Sequence, residues 1–177
     1  FTVATQKWID AFGDFYEKAK AAYQVEKRKR LNLLKLSSIM QMLFDNFRLP
    51  AGPAITDEDV ALSDTDSCVY VLARQAGEGG DRRAEAGDYY ITEEERQAIA
   101  FCAAHYQHFV LLVNCGSSMD LGFVEEIAGI DAVLYICQPG SQGGLAVADL
   151  LSGAVSSREA IQKFLKNKLK TNTRLVN

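Results

Sequence analysis

The sequence predicts an α/β fold: a three-layer sandwich with a mainly parallel sheet, preceded by two N-terminal helices and followed by a C-terminal helix. Three observations carry this. Uninterrupted apolar runs of strand length recur at residues 68–73, 109–113 and 132–137. Each is separated from the next by a stretch with helical spacing or a helix-start signal. Apolar runs without alternation suit strands buried on both faces, as in a parallel sheet covered by its crossover helices.

Along the chain, residues 5–47 carry apolar positions at helical spacing. Trp8, Ile9, Phe12, Phe15, Tyr16, Ala19 and Tyr23 form one set, and Leu33, Leu36, Ile39, Met40, Leu43, Phe44 and Phe47 a second. These aromatics read as packing residues before they read as a sugar platform. The basic run Lys27-Arg28-Lys29-Arg30 falls between the two helices or at the end of the first, and reads as a solvated face. Pro50-Ala51-Gly52-Pro53 stops the helical pattern. Thr56 with Asp57, Glu58 and Asp59 is an N-cap with an acidic first turn. Thr92 with Glu95 three residues on is a capping box, opening a helix through Tyr106. Residues 119–127 and 142–151 read as the remaining helices of the sandwich. The organisation expected is a helical segment over 1–50, an α/β core over 51–155 and a helical tail over 156–177. In the tail, Ile161, Phe164, Leu165 and Leu169 make one modest apolar stripe among lysines, suited to packing on the domain.

Composition excludes several functions. A net charge of −4 gives no field for collecting nucleic acid, so no nucleic-acid partner is expected. No run approaches the ~20 apolar residues of a membrane span, and no secretory leader pattern is visible. Cys68, Cys102, Cys115 and Cys137 lack metal-site or redox-motif spacing and read as buried reduced thiols in a cytoplasmic protein. No cofactor and no metal are expected. His105 and His108 lie where a helix gives way to a strand, as partners for helix carbonyls rather than as catalysts.

In parallel sheets, ligands meet the loops at the carboxyl ends of the strands. Here these are Arg74 to Arg83, Asn114 to Ser118 and Gln138 to Gly144, all containing glycine. A phosphate cradle is one reading, but none of the three has a dinucleotide or P-loop spacing. Taken alone, Glu78 reads as a solvent-exposed loop glutamate.

The loops resemble something more specific. Ala76-Gly77-Glu78-Gly79-Gly80-Asp81-Arg82 is similar to the Gly-Glu-Gly and Glu-Gly-x-Asp-Arg loops of family 3 glycoside hydrolases, notably bacterial β-glucosidases. Gly87-Asp88-Tyr89-Tyr90-Ile91-Thr92 resembles their Gly-Asp-Tyr-x-Leu-Ser/Thr segment, and Val113-Asn114-Cys115-Gly116 their Leu-Asn-x-Gly loop. The run Gln138-Pro139-Gly140-Ser141-Gln142-Gly143-Gly144-Leu145-Ala146-Val147-Ala148-Asp149 is similar to their Gln-Pro-Gly-x-x-Gly-Gly-x-Ala-x-Ala-Asp segment. The resemblance runs in order from about residue 57 to 155 and ends at Ser156-Ser157-Arg158-Glu159.

It implies the sandwich domain of a retaining enzyme, in which a carboxylate nucleophile on a barrel domain is paired with an acid/base glutamate on a sandwich loop. Glu78 matches that glutamate, with a raised pKa expected in the assembled cleft. Asp81 and Arg82 are expected to shape the loop or contact sugar, and Asp88 to brace it. A (β/α)₈ barrel of ~250 residues exceeds these 177, so the nucleophile is expected elsewhere. Two readings follow. The chain supplies Glu78 to a barrel and meets its β-glucoside only there, or it is a stand-alone, non-catalytic domain completed by a homodimer.

Overall fold

A computed structural model of the chain describes residues 6–30, 37, 39–40, 47, 51–74 and 82–156. The chain divides into two compact units, Phe1–Cys137 and Gln138–Asn177. In the first, helix α1 (Gln6–Arg30) is followed by α2 (Asp57–Ser63), β1 (Ser67–Arg74), α3 (Glu93–His105), β2 (His108–Cys115), α4 (Phe123–Glu126) and β3 (Ala132–Tyr135). The second holds a 3₁₀ turn (Gly140–Gln142) and α5 (Gly143–Leu151).

Residues 8, 12, 16, 19 and 23 form a half-buried stripe on α1, while Ile9 and Phe15 remain about 40% exposed. Trp8 stacks on Phe12, and both Tyr16 and Tyr23 meet Phe47 at centroid distances of 5.6 and 5.5 Å. Trp8, Phe12, Tyr16, Tyr23 and Phe47 therefore pair among themselves, and among the described residues no N-terminal aromatic belongs to the fully buried core. The basic run occupies the last turn of α1, where cations face the negative end of the helix dipole. Most of the expected second helix and the whole of residues 157–177 lie outside the described residues.

The sheet is parallel with order β1-β2-β3. Helix α3 makes the crossover between β1 and β2, the connection that parallel pairing requires. Ser67 pairs with His108 and Arg74 with Cys115, so β1 and β2 end level. The fold class is thus the one read from the sequence: α/β around a parallel sheet.

Period-2 geometry sorts β2 cleanly. Phe109, Leu111, Val113 and Cys115 are fully buried and meet Leu72 of β1, Ile99, Cys102 and Ala103 of α3, and Met119 and Phe123. At the centre of the opposite face Leu112 is buried, but Val69 and Val71 on the edge strand are 39% and 54% exposed.

Both capping boxes form. Thr56 Oγ1 accepts from the Asp59 N–H and Asp59 returns the bond to the Thr56 N–H. At α3, Thr92 Oγ1 accepts from the Glu95 N–H at 3.2 Å while Glu95 Oε2 accepts from the Thr92 N–H at 2.8 Å. At the far end of α3, His105 Nδ1 lies 2.8 Å from the Phe101 carbonyl, and its Nε2 lies 3.2 Å from Asp57 Oδ1. Asp131 joins β2 to β3: it accepts the Phe109 N–H on its carboxylate and donates its own N–H to the Phe109 carbonyl.

Two local expectations are corrected. The stretch 119–127 is helical only over Phe123–Glu126, because the Asp120 carboxylate takes the Gly122 N–H in a local turn that competes with a helix start. Strand β3 stops at Tyr135, and Cys137 turns to φ 49° and is exposed, so not all four cysteines are buried. All four are free thiols. Hydrogen bonding to Cys68 and burial together hold the Cys102 thiol above its ordinary range.

Gly129, before β3, has φ +91°, and a Cβ there would sit 2.5 Å from the Ala103 carbonyl oxygen. That oxygen is helix backbone and cannot rotate away. Gly129→Ala is expected to destabilise the chain by about 2–4 kcal/mol, combining left-handed strain with overpacking. The urea midpoint should fall at unchanged slope.

In the second unit, α5 ends where Gly153, at φ +73°, donates to the Leu150 carbonyl and Val155 to that of Asp149.

Candidate active site

The carboxyl ends of β1 and β2 bring together Arg74, Arg82, Asp88 and Ser117. Strand β1 ends at Arg74, and the described chain resumes at Arg82. Glu78 and Asp81 lie outside the described residues. Arg82 and Asp88, the other two residues singled out from the sequence, are in direct contact.

Arg74 is nearly fully buried, its side chain 5% exposed. Its Nη1 and Nη2 each donate to one carboxylate oxygen of Glu95 at 2.6 Å, a bidentate pair. Nη1 also donates to the Ala73 carbonyl, Nε to the Asp88 carbonyl at 3.1 Å, and Nη2 to the Tyr90 carbonyl at 3.4 Å. All five donors of the guanidinium are used, which offsets the expense of burying its charge. Glu95 does two jobs: the oxygen that caps the start of α3 is also one of the pair holding Arg74.

Arg82 is the second post. Its Nη1 donates to Asp88 Oδ1 at 2.8 Å, Nε to Ser117 Oγ at 2.6 Å and Nη2 to Cys115 Sγ at 3.1 Å. Asp88 Oδ2 accepts the Arg83 N–H. Asp88 stands on a tight turn closed by Gly87, whose φ of +80° lets its N–H reach the Tyr90 carbonyl. The second loop is tied in as well. Cys115 Sγ and the Tyr135 hydroxyl both donate to the Ser117 carbonyl, at 2.8 and 2.5 Å. Partial burial, followed by the bond with Cys115, pushes the Tyr135 hydroxyl up to about 12, so it stays a donor at neutral pH. Asn114 Oδ1, at the same end of β2, is buried with no hydrogen-bond partner among the described residues.

Arg74, Glu95, Ser117 and Tyr135 were not singled out from the sequence as site residues. Their positions contained one usable signal: an arginine ending an apolar strand needs a buried anion, and Glu95 sits in the first turn of the helix that follows. Among the described residues, no group of His, Cys, Asp and Glu side chains is arranged to hold a metal ion.

The arrangement has relatives. Residues 7–158 match the family model of the glycosyl hydrolase family 3 C-terminal domain. A beta-glucosidase of Ruminococcus albus is 34% identical over 96 residues, covering 54% of this chain and 10% of that protein. Beta-glucosidase A of Butyrivibrio fibrisolvens is 24% identical over 142 residues, 63% of this chain and 17% of that one. The crystal structure of a beta-glucosidase from Paenibacillus barengoltzii superposes with a TM-score of 0.55 at 33% identity, covering 59% of this chain and 12% of that one. The chain therefore spans less than a fifth of the length of the proteins it matches. With a family match over most of its length, the chain belongs to the glycosyl hydrolase family 3 C-terminal domain family.

Proposed function

We propose that the chain is the sandwich-domain portion of a retaining β-glucosidase-like hydrolase, supplying Glu78 as acid/base to a barrel domain that carries the nucleophile. What supports this reading is that the Gly77-Glu78-Gly79 motif follows β1 in the sequence, between Arg74 and Arg82, which are both anchored by ion pairs. Arg82 and Asp88 then shape the loop rather than bind sugar, since their polar atoms are occupied by one another, by Ser117 and by the backbone.

In the reaction, the barrel carboxylate attacks the anomeric carbon as the Glu78 carboxyl gives its proton to the departing glycosidic oxygen. The Glu78 carboxylate then takes a proton from the water that cleaves the glycosyl-enzyme bond, restoring both groups. A separation of about 5–5.5 Å between the two carboxyls suits this double displacement. The chain alone supplies one of the two carboxyls and is inactive. β-Glucoside hydrolysis appears only with the barrel, which contributes most contacts to the sugar. Four free thiols suit a reducing cytoplasm.

The test is turnover of an aryl β-glucoside by the purified chain, alone and mixed with a family 3 barrel domain. Turnover only in the mixture is expected. Turnover by the chain alone, or none in a mixture that forms a complex, overturns the reading. The exposed Val69 and Val71 of β1 favour a second reading, a non-catalytic domain completed by its own copy. A chain that stays monomeric at every concentration removes it.

A further inference from the structure

Cys68 and Cys102 stand at the amino end of the sheet, about 20 Å along β1 from Arg74. Alternation along β1 puts Cys68 on the same face as Tyr70, Leu72 and Arg74, the face that packs on the core. On α3, Cys102 follows Glu95 after two helical turns and so returns to the buried face of the helix. The ion pair of Arg74 with Glu95 fixes strand and helix at one end. At the other end the two thiols meet, joined by a hydrogen bond. Cys68 is half-buried, Cys102 is 1% exposed, and both are free. We propose that Cys68 and Cys102 form a dithiol modification site: a low-molecular-weight disulfide oxidises them to an intramolecular disulfide that staples β1 to α3.

The pair lies apart from the arginine posts, and its chemistry stands whether or not the chain takes part in hydrolysis. Exposure assigns the roles. A reagent can reach the half-buried Cys68, while Cys102 is reached only through its neighbour. The hydrogen bond with Cys102 holds the Cys68 thiol below its ordinary range, which suits Cys68 to be the attacking sulfur. Cys68 gives its proton to water and attacks one sulfur of the reagent. The reagent's S–S bond breaks, and the departing thiolate takes up a proton. The Cys102 sulfur then attacks the Cys68 sulfur of the mixed disulfide, and the Cys102 proton leaves with the second departing thiolate. Two protein thiols are oxidised, and one disulfide is reduced to two thiols. Sulfurs already within hydrogen-bond reach need only a small shift to the bond length of about 2.05 Å. The bond closes a loop of about 34 residues that includes Arg74 and Glu95, and so restricts the unfolded chain more than a short bridge would. In a reducing compartment the pair stays as thiols, and a more oxidising poise closes it.

Oxidised glutathione tests it, applied to the reduced 177-residue chain carrying Cys137→Ser, which removes the exposed competing thiol. Peptide mapping without reductant should find Cys68 linked to Cys102, lighter by two hydrogens, and dithiothreitol should reverse the link. The oxidised chain should unfold at higher urea, its folding constant raised by about 10²-fold. A glutathione adduct on Cys68 that never closes overturns the proposal, as does a link that forms only in urea. Free thiols at both positions under an excess that modifies an unstructured cysteine peptide overturn it too. An unchanged urea midpoint in the linked chain removes the staple. Cys102→Ser should trap the adduct on Cys68, and Cys68→Ser should leave Cys102 unmodified in the folded chain; an adduct on Cys102 there overturns the assigned roles. If Cys102→Ser does not fold, the peptide map of the Cys137→Ser chain decides.

Discussion

Glu95→Ala is expected to destabilise the folded chain by about 3–5 kcal/mol, the usual effect of removing one partner from a buried ion pair. The side chains of Arg74 and Glu95 are 5% and 8% exposed, so water cannot replace the carboxylate. Two guanidinium donors would be left facing the core, and the start of α3 would also lose the bond from Glu95 to the Thr92 N–H. The chain holds its own control. Lys7 and Glu58 form an ion pair of similar length, 2.8 Å, but their side chains are 62% and 66% exposed. Glu58→Ala should therefore leave the urea midpoint nearly unchanged, because solvent and salt already screen the pair. Urea denaturation of both variants separates the cases. A loss below about 1 kcal/mol for Glu95→Ala would mean that the site admits water and that Arg74 is not held as described. Replacing both partners, Arg74→Met with Glu95→Leu, should recover much of the loss, since the expense lies in the orphaned charge rather than in the missing attraction.

The contrast shows what could be read without coordinates. Patterns carried by neighbours in sequence were legible. The capping boxes at Thr56 and Thr92 need only three residues, and both form. The apolar run from Phe109 marks β2 because an uninterrupted run of strand length suits a strand covered on both faces. Tertiary pairing was not legible. Glu95 was read as the acid of a capping box, and the pairing with Arg74 exists only because β1 and α3 pack together. Arg82 and Asp88 are both legible as loop residues, but that the Arg82 guanidinium meets the Asp88 carboxylate and crosses to Ser117 is not. Cys137 shows the opposite limit. The apolar run continues through it, yet its backbone turns left-handed with that of Gln138, at φ 49° and 53°, and neither is a residue type that signals such a turn.

Glu78→Gln should lower turnover of the barrel-assembled enzyme by about 10²–10⁴-fold, the range for a positioned general acid or base. The amide keeps the size and much of the hydrogen bonding of the carboxyl, so folding stability should stay close to that of the parent. The loss should also depend on the leaving group, which a structural defect would not make it do. A nitrophenolate departs without a proton, so glycosylation with that substrate needs little acid. An alkoxide from a sugar or alkyl glycoside needs the proton, and there the variant should lose most. Deglycosylation needs the same residue as base whatever the leaving group was, so glycosyl-enzyme should accumulate with activated substrates and appear as a burst. A small anionic nucleophile that attacks without giving up a proton should drain that intermediate and restore turnover. Equal loss across leaving groups, without a burst or rescue, would remove Glu78 from the chemistry and leave the anchored arginines around a loop with another purpose.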